Sequence, residues 1–308
     1  MSDMVIKDLG CQITAVTGDL LADAPAQVSA ARECPVGRDT VSWKIHSEVL
    51  LLLGWGRAIL LLLSHPLIAC GVAEHTSFLV QTRGRLRRLY RTLYAMLSLV
   101  FGKPEEVERV VRHINSLHDQ VHGWLPETAG VFSAGATYSA HDPVLLRWVH
   151  ATLLESSLLT YEFYIGPLTP EEKDRYCVEA SGIEPLLDIP NGFLPRSSVE
   201  LQQYMDTMFS SGEIAVTETA RALAQEVVYP PMPGMAQSLF SLVRLPMIGM
   251  LPPMIRKAYG FPWDSRHEAK LHLSAHVVRS LLPLTPSILR HWPKARAAFR
   301  RHSKTARN

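Results

Sequence analysis

Apolar positions recur at intervals of three and four along most of this chain, the period of helices with one buried face. Between residues 85 and 101, Leu86, Leu89, Tyr90, Leu93, Leu97 and Val100 share one side, and Gly102 stops the segment. Pro104 with Glu105 and Glu106 opens the next helix, because proline is tolerated at the first helical position and acids complement the positive end of the helix dipole. That helix is expected to reach about His122, before Gly123. Asp142-Pro143 reads as an N-cap starting a long apolar helix to about Tyr164, and Thr169 with Glu172 and Ser197 with Glu200 have the spacing of capping boxes. Another helix is expected over Glu213 to Val227, and shorter ones follow the Tyr229-Pro230-Pro231-Met232-Pro233 breaker to about Leu282. No run alternates apolar and polar residues for long, and no repeat period is visible. The fold class predicted is all-α: one multi-helix domain over residues 42–285, after a loosely held lead-in (1–41) and before a basic C-terminal tail (286–308).

The most apolar stretch, Val49 to Ala73, is long enough to span a bilayer, for which about 20 residues suffice. Arg57 lies near its middle, Gly54 and Gly56 interrupt it, and Ser64-His65-Pro66 halts a helix, so two buried pieces fit better than one span. Peripheral membrane contact stays open. At 308 residues with 47% hydrophobic and 19% charged side chains, the chain is too apolar for disorder. Residues 290–308 carry seven Lys and Arg and no acid, and subtracting them from the formal net charge of +2 leaves −5 for the rest. A body of that sign argues against a nucleic-acid surface, and the basic tail reads as a frayed end or a contact for anionic lipid. Cys11, Cys34, Cys70 and Cys177 are widely spaced, with no C-x-x-C, and residues 1–40 show no secretory pattern. A reducing cytoplasmic setting is expected.

Thirteen histidines make it useful to ask which are forced indoors. Val107, Val111, Ile114 and His118 fall at spacings of four, three and four, so His118 continues an apolar stripe. Such an imidazole needs a partner for each nitrogen: an ordinary hydrogen bond, or a metal or haem iron. His118-Asp119-Gln120-Val121-His122 is also a degenerate H-E-x-x-H, with an aspartate shorter than the usual glutamate. Arg88 and Thr92 lie four apart on the preceding helix, with Arg91 beside them; there a guanidinium could grip a carboxylate or propionate, unless the crowd from Arg83 to Arg91 is simply a solvated basic face. Arg57, His65, Glu74 and His75 sit within or beside the apolar stretch, so Arg57 must be paired or placed at a cavity. Trp148 and His150 lie within the helix after Asp142. No G-x-S-x-G, P-loop or G-x-G-x-x-G is present.

Read in order, several blocks resemble the MpaB-type oxygenase family, whose domain is shared with rubber-cleaving latex clearing proteins. They are Arg57 to Leu62 with Ser64-His65-Pro66, Gly71 to His75, Arg88-Leu89-Tyr90-Arg91-Thr92 as R-x-x-x-T, His118 to Gly123 as H-x-x-V-x-G, Asp142-Pro143 with Trp148-Val149-His150, and Leu251-Pro252-Pro253 with Arg256, Tyr259 and Gly260. The likeness covers about residues 42–265 and rests on the order of blocks. It implies an all-helical domain binding non-covalent b-type haem, with His118 as the proximal iron ligand and Arg88 and Thr92 by the distal face. Glu74 matches the acid proposed as a base in the characterised branch. A lysine that can occupy the sixth iron position there is replaced by Arg91, a very poor iron ligand, so rubber cleavage does not carry over. Arg57, Arg91 and His150 complete the expected cofactor-binding set. The resulting expectation is a haem b-dependent oxygenase using O2 on a hydrophobic small molecule such as a terpenoid, polyketide or lipid-like chain, by cleavage, hydroxylation or desaturation. The alternatives are a non-catalytic binder of haem or a hydrophobic ligand, and a non-haem metal protein using His118 and His122.

Overall fold

Local stop and start signals account for most element boundaries in the computed structural model, which describes residues 39–75, 82–230 and 234–305, with the side chains of 82–89, 234–239 and 302–305 outside that description. The lead-in assigned to 1–41 lies outside the described residues up to position 38, as do 231–233 of the proline-rich breaker. The described residues belong to one unit, 34–308.

Thr40 caps α1 (Val41–His46) by accepting from the Trp43 amide. A 3₁₀ turn (Val49–Leu51) leads into α2 (Leu52–Leu63), and after a break at Ser64-His65 the chain enters α3 (Pro66–His75), bent by 104° from the preceding segment. The apolar stretch is thus two pieces, with Leu60, Leu61, Leu63 and Ala69 buried. Among the described residues no single helix is long and apolar enough to cross a membrane; this bent pair alone has the length and composition when taken together. Next come α4 (Thr82–Phe101) and α5 (Pro104–His118), then a two-stranded antiparallel hairpin of β1 (His122–Trp124) and β2 (Thr137–Ser139), in which Gly123 faces Tyr138. The long α6 (Pro143–Tyr164) starts where Asp142 accepts from the Val144 amide at 2.9 Å.

α2 packs between α6 and α10 (Gly234–Gly249), and its glycines explain why it can. A Cβ on Gly54 would fall 1.9 Å from Thr160 Oγ1, and one on Gly56 2.2 Å from Met247 Cε. Around this contact the main core gathers Ile45, Trp148, Ala151, Tyr176, Met205 and Met247. α7 (Pro170–Ala180) begins with a full capping box between Thr169 and Glu172, followed by a 3₁₀ segment (Ser181–Leu186), α8 (Ser198–Ser211) and α9 (Glu218–Val228). Beyond α10 lie α11 (Pro253–Ala258), α12 (Ser265–Leu281), α13 (Ser287–Arg290) and α14 (Pro293–Thr305).

Three expectations give way. The helix opened by Pro104 stops at His118, because Val121 turns in to pack with Tyr138 and Leu125, and His122 joins a strand. The helix placed at Glu213 starts at Glu218: the Ala215 amide donates to the Ser64 carbonyl at 3.0 Å, holding that stretch extended until Thr217 caps the helix. The basic C-terminal run is not a frayed end as far as residue 301. Ala295 and Ala298 of α14 pack on Trp43 and Phe101, whose rings meet edge to face at 4.9 Å. Arg290 Nε lies 2.8 and 2.9 Å from the two Glu48 oxygens, and Lys294 donates to Ser98 Oγ at 2.6 Å and to Glu106.

Candidate cofactor and substrate site

Between α2, α4, α6 and the 3₁₀ segment after α7 the fold encloses a cavity of about 160 Å³. Its wall is mainly apolar, with Trp55 and Ala58 from α2, Met96 and Leu99 from α4, and Leu153 and Leu154 from α6. Three polar rings interrupt it: His46, His150 and Tyr176. Burial lowers the His46 pKa to about 4 and raises that of Tyr176, so a protonated phenol donates to a neutral imidazole across the 2.9 Å contact between Tyr176 Oη and His46 Nε2. Burial likewise lowers the His150 pKa to about 4, against an opposing pull from Glu184, and His150 Nε2 is buried with no hydrogen-bond partner.

His118 ends α5. Its stripe turns inward as the spacing predicts: Val107 is buried, and Ile114 packs with Leu146, Leu187 and Ile189. Asn115, on the same helix, donates to the carbonyl of Leu186, itself a cavity residue, at 3.2 Å. The His118 ring is half-buried, its Nδ1 is fully buried without a partner, and its pKa is lowered, first by burial and then by His141, against Asp119. His141 stands edge-on to it at 5.7 Å and is within 2.8 Å of Asp119 through Nε2. His150 thus stands in the cavity wall, whereas His118, at the end of α5, is neighboured by His141 and is not among the residues lining the cavity.

The other predicted residues are distributed as follows. Arg91 and Thr92 are exposed on α4, and Arg91 Nη2 lies 2.8 Å from His113 Nε2, tying α4 to α5. Arg88 is one turn earlier on the same helix, with its side chain outside the described residues. Arg57 is 2% exposed and fully engaged, donating to the Met250 carbonyl at 2.7 Å, Ser156 Oγ at 2.6 Å and Glu155 Oε1 at 2.9 Å. It binds α2 to α6 behind the cavity wall, to which Ser156 belongs. Glu74, at the end of α3, sits in a separate polar cluster: it accepts from the Tyr138 hydroxyl, while His75 donates to the His122 carbonyl at 3.1 Å. Burial first and Glu74 second raise the Tyr138 pKa, so that hydroxyl keeps its proton. Gly123 is required there, since a Cβ would fall 2.6 Å from Tyr138 Oη.

Because α5 ends at His118, His122 does not share a helical face with it, and the two-histidine helix of a zinc hydrolase is not formed. Among the described residues no three His, Cys, Asp or Glu side chains are placed to hold a metal ion. The sequence reading missed His46 and Tyr176. They come from helices whose apolar faces read as ordinary core, and only the tertiary fold sets them beside His150.

The architecture is a helical core around a mainly apolar cavity with the neutral imidazoles of His46 and His150 in its wall. Residues 43–280 match the family model described as ER-bound oxygenase mpaB/B'/rubber oxygenase, catalytic domain, and the chain belongs to that family. The uncharacterized proteins Mb2261 of Mycobacterium bovis and Rv2237 of Mycobacterium tuberculosis are each 27% identical to it over 173 residues, 54% of this chain. That match spans 65% of each relative's own length. No solved structure matches the chain.

Proposed function

We propose that this member of the oxygenase family works with haem b and O2 on a compact hydrophobic molecule, with His118 as the iron ligand. The observation that carries the reading is the apolar stripe of α5, which ends in a half-buried His118 ring whose pKa is lowered by burial, so that the ring is offered neutral. A neutral imidazole is what a haem iron takes as an axial ligand, through Nε2. The residues present fit the group in kind: the imidazole at the end of α5 would hold the iron, and Arg91 of α4, in contact with His113 of α5, is a cation of the sort that pairs with a propionate.

When bound, haem supplies the redox-active iron that activates O2. The chain's own residues set the conditions. Thr92 presents a hydroxyl donor, and Arg88, four residues earlier, shares its helical face. Arg91 stays charged and faces His113, so it serves as a cation rather than as a replacement for the lysine it substitutes. Arg57 holds α2 against α6 and keeps that wall closed. Glu74, fixed by Tyr138 in the cluster at the end of α3, is an acid–base candidate for a substrate that reaches that cluster rather than for one held in the cavity. The apolar wall excludes water, and a cavity of about 160 Å³ suits a single ring or a short branched hydrocarbon unit of substrate rather than the haem itself, since one of roughly 150 Å³ accepts benzene. That scale favours a terpenoid-like fragment over a polymer.

The test is the visible absorption spectrum of protein produced with ample haem precursor, beside that of His118→Ala. A haem band present in the first and lost in the second, with circular dichroism unchanged, is the expected result. No band in either protein, or an equal band in both, would overturn the assignment of His118.

A further inference from the structure

The C-terminal side of the domain combines two features that the oxygenase reading does not use. From residue 269 to 308 the chain carries nine Lys and Arg and no acid; Arg290 and Lys294 are taken up by Glu48 and Glu106, while Lys270 stands exposed on α12. On α12, Leu273, Val277 and Leu281 recur every four residues and are 60%, 44% and 55% exposed; just beyond, Leu284 is 78% and Ile288 64% exposed. This is not an unfilled core face, because Leu271 and Ala275 on the other side of α12 already provide the buried contacts. Exposed Arg266 and Lys270 continue the outer face toward the start of the helix, at spacings of four and three before Leu273. Large apolar side chains lined up in water and rimmed by cations mark a docking surface.

We propose that this face, the outer stripe of α12 with the following segment to Ile288, docks on an anionic lipid bilayer. The apolar side chains enter the boundary between headgroups and acyl chains, and the cations lie at phosphate level. Charge selects this occupant. A second copy would set Arg266 and Lys270 of the stripe against their own counterparts, whereas an anionic bilayer complements these two cations and the apolar row together. The inference stands independently of haem binding.

The test is co-sedimentation of the full chain with phosphatidylcholine vesicles, with and without phosphatidylserine, alongside the double variant Leu281→Asp, Leu284→Asp. Both positions are exposed, so the variant should fold, as circular dichroism checks. The wild type is expected to sediment with the serine-containing vesicles and to be released by salt. The double variant should bind at least about tenfold more weakly, given what withdrawing one leucine from water contributes, and Lys270→Ala about fivefold more weakly. Absence of sedimentation, equal binding to neutral vesicles, or undiminished binding by the double variant would overturn the proposal. So would a lipid-free dimer, seen by light scattering, that the double variant dissolves.

Discussion

Lowering the pH toward about 5 creates a proton demand at His65 that the unfolded chain meets more readily than the folded one. The ring is 1% exposed, packs on Phe132 at 5.1 Å, and leaves Nδ1 buried without a partner. Burial lowers its pKa to about 4, against roughly 6.5 in an unfolded chain. Between those two values the unfolded state binds the proton and the folded state does not, so stability falls as pH falls through the window. At about pH 5 the loss from this ring is about 2 kcal/mol, reaching about 3 kcal/mol below pH 4. Urea unfolding at about pH 7.5 and pH 5, for the wild type and for His65→Leu, isolates the effect. His46 and His150, also lowered to about 4, add the same loss to both proteins and cancel in the comparison. The wild type should lose about 2 kcal/mol more than the variant. An equal loss would refute the claim that His65 is forced to stay neutral.

Arg57→Met should cost about 3 kcal/mol, because it leaves Glu155 facing a wall with no cation; thermal unfolding would show it, and a change below about 1 kcal/mol would mean that Glu155 is solvated well enough alone. Gly54→Ala should destabilise more than Gly56→Ala, by about 1–3 kcal/mol, since the new methyl meets Thr160 and the Ser156 carbonyl rather than a flexible Met247 side chain; paired melting curves decide it. Removing residues 286–308 should lower stability by several kcal/mol through exposure of Trp43 and Phe101 and loss of the Glu48 partner, whereas a loose end would leave the melting temperature unchanged.

What was legible in the sequence was local. The caps at Asp142, Thr169 and Ser197 mark true helix starts because their determinants lie within three residues, and the break at Ser64-His65 follows from the proline after it. The hairpin was not legible, since strands of three residues are too short to alternate visibly. Charge misled at the C-terminal run because the acids that anchor it, Glu48 and Glu106, lie 242 and 188 residues from Arg290 and Lys294. Arg57 offered two outcomes on burial grounds, and the structure shows the paired one. At the site, the His118 stripe was visible from periodicity, while the His46–Tyr176 contact joins positions 130 apart and leaves no local trace.

The pairing of Glu48 with Arg290 bears on how the chain is made. A ribosome releases the sequence from its amino end, so α1 and Glu48 emerge long before Arg290 and the alanines of α14. Until those positions have been synthesised, a carboxylate destined for 2% exposure lacks its cation, and the Trp43–Phe101 pair lacks the surface that covers it. The nascent chain can gather helices from α2 onward, yet the Trp43 side of α1 stays uncovered until translation has passed residue 298, which leaves an unfinished polypeptide open to chaperones and proteases.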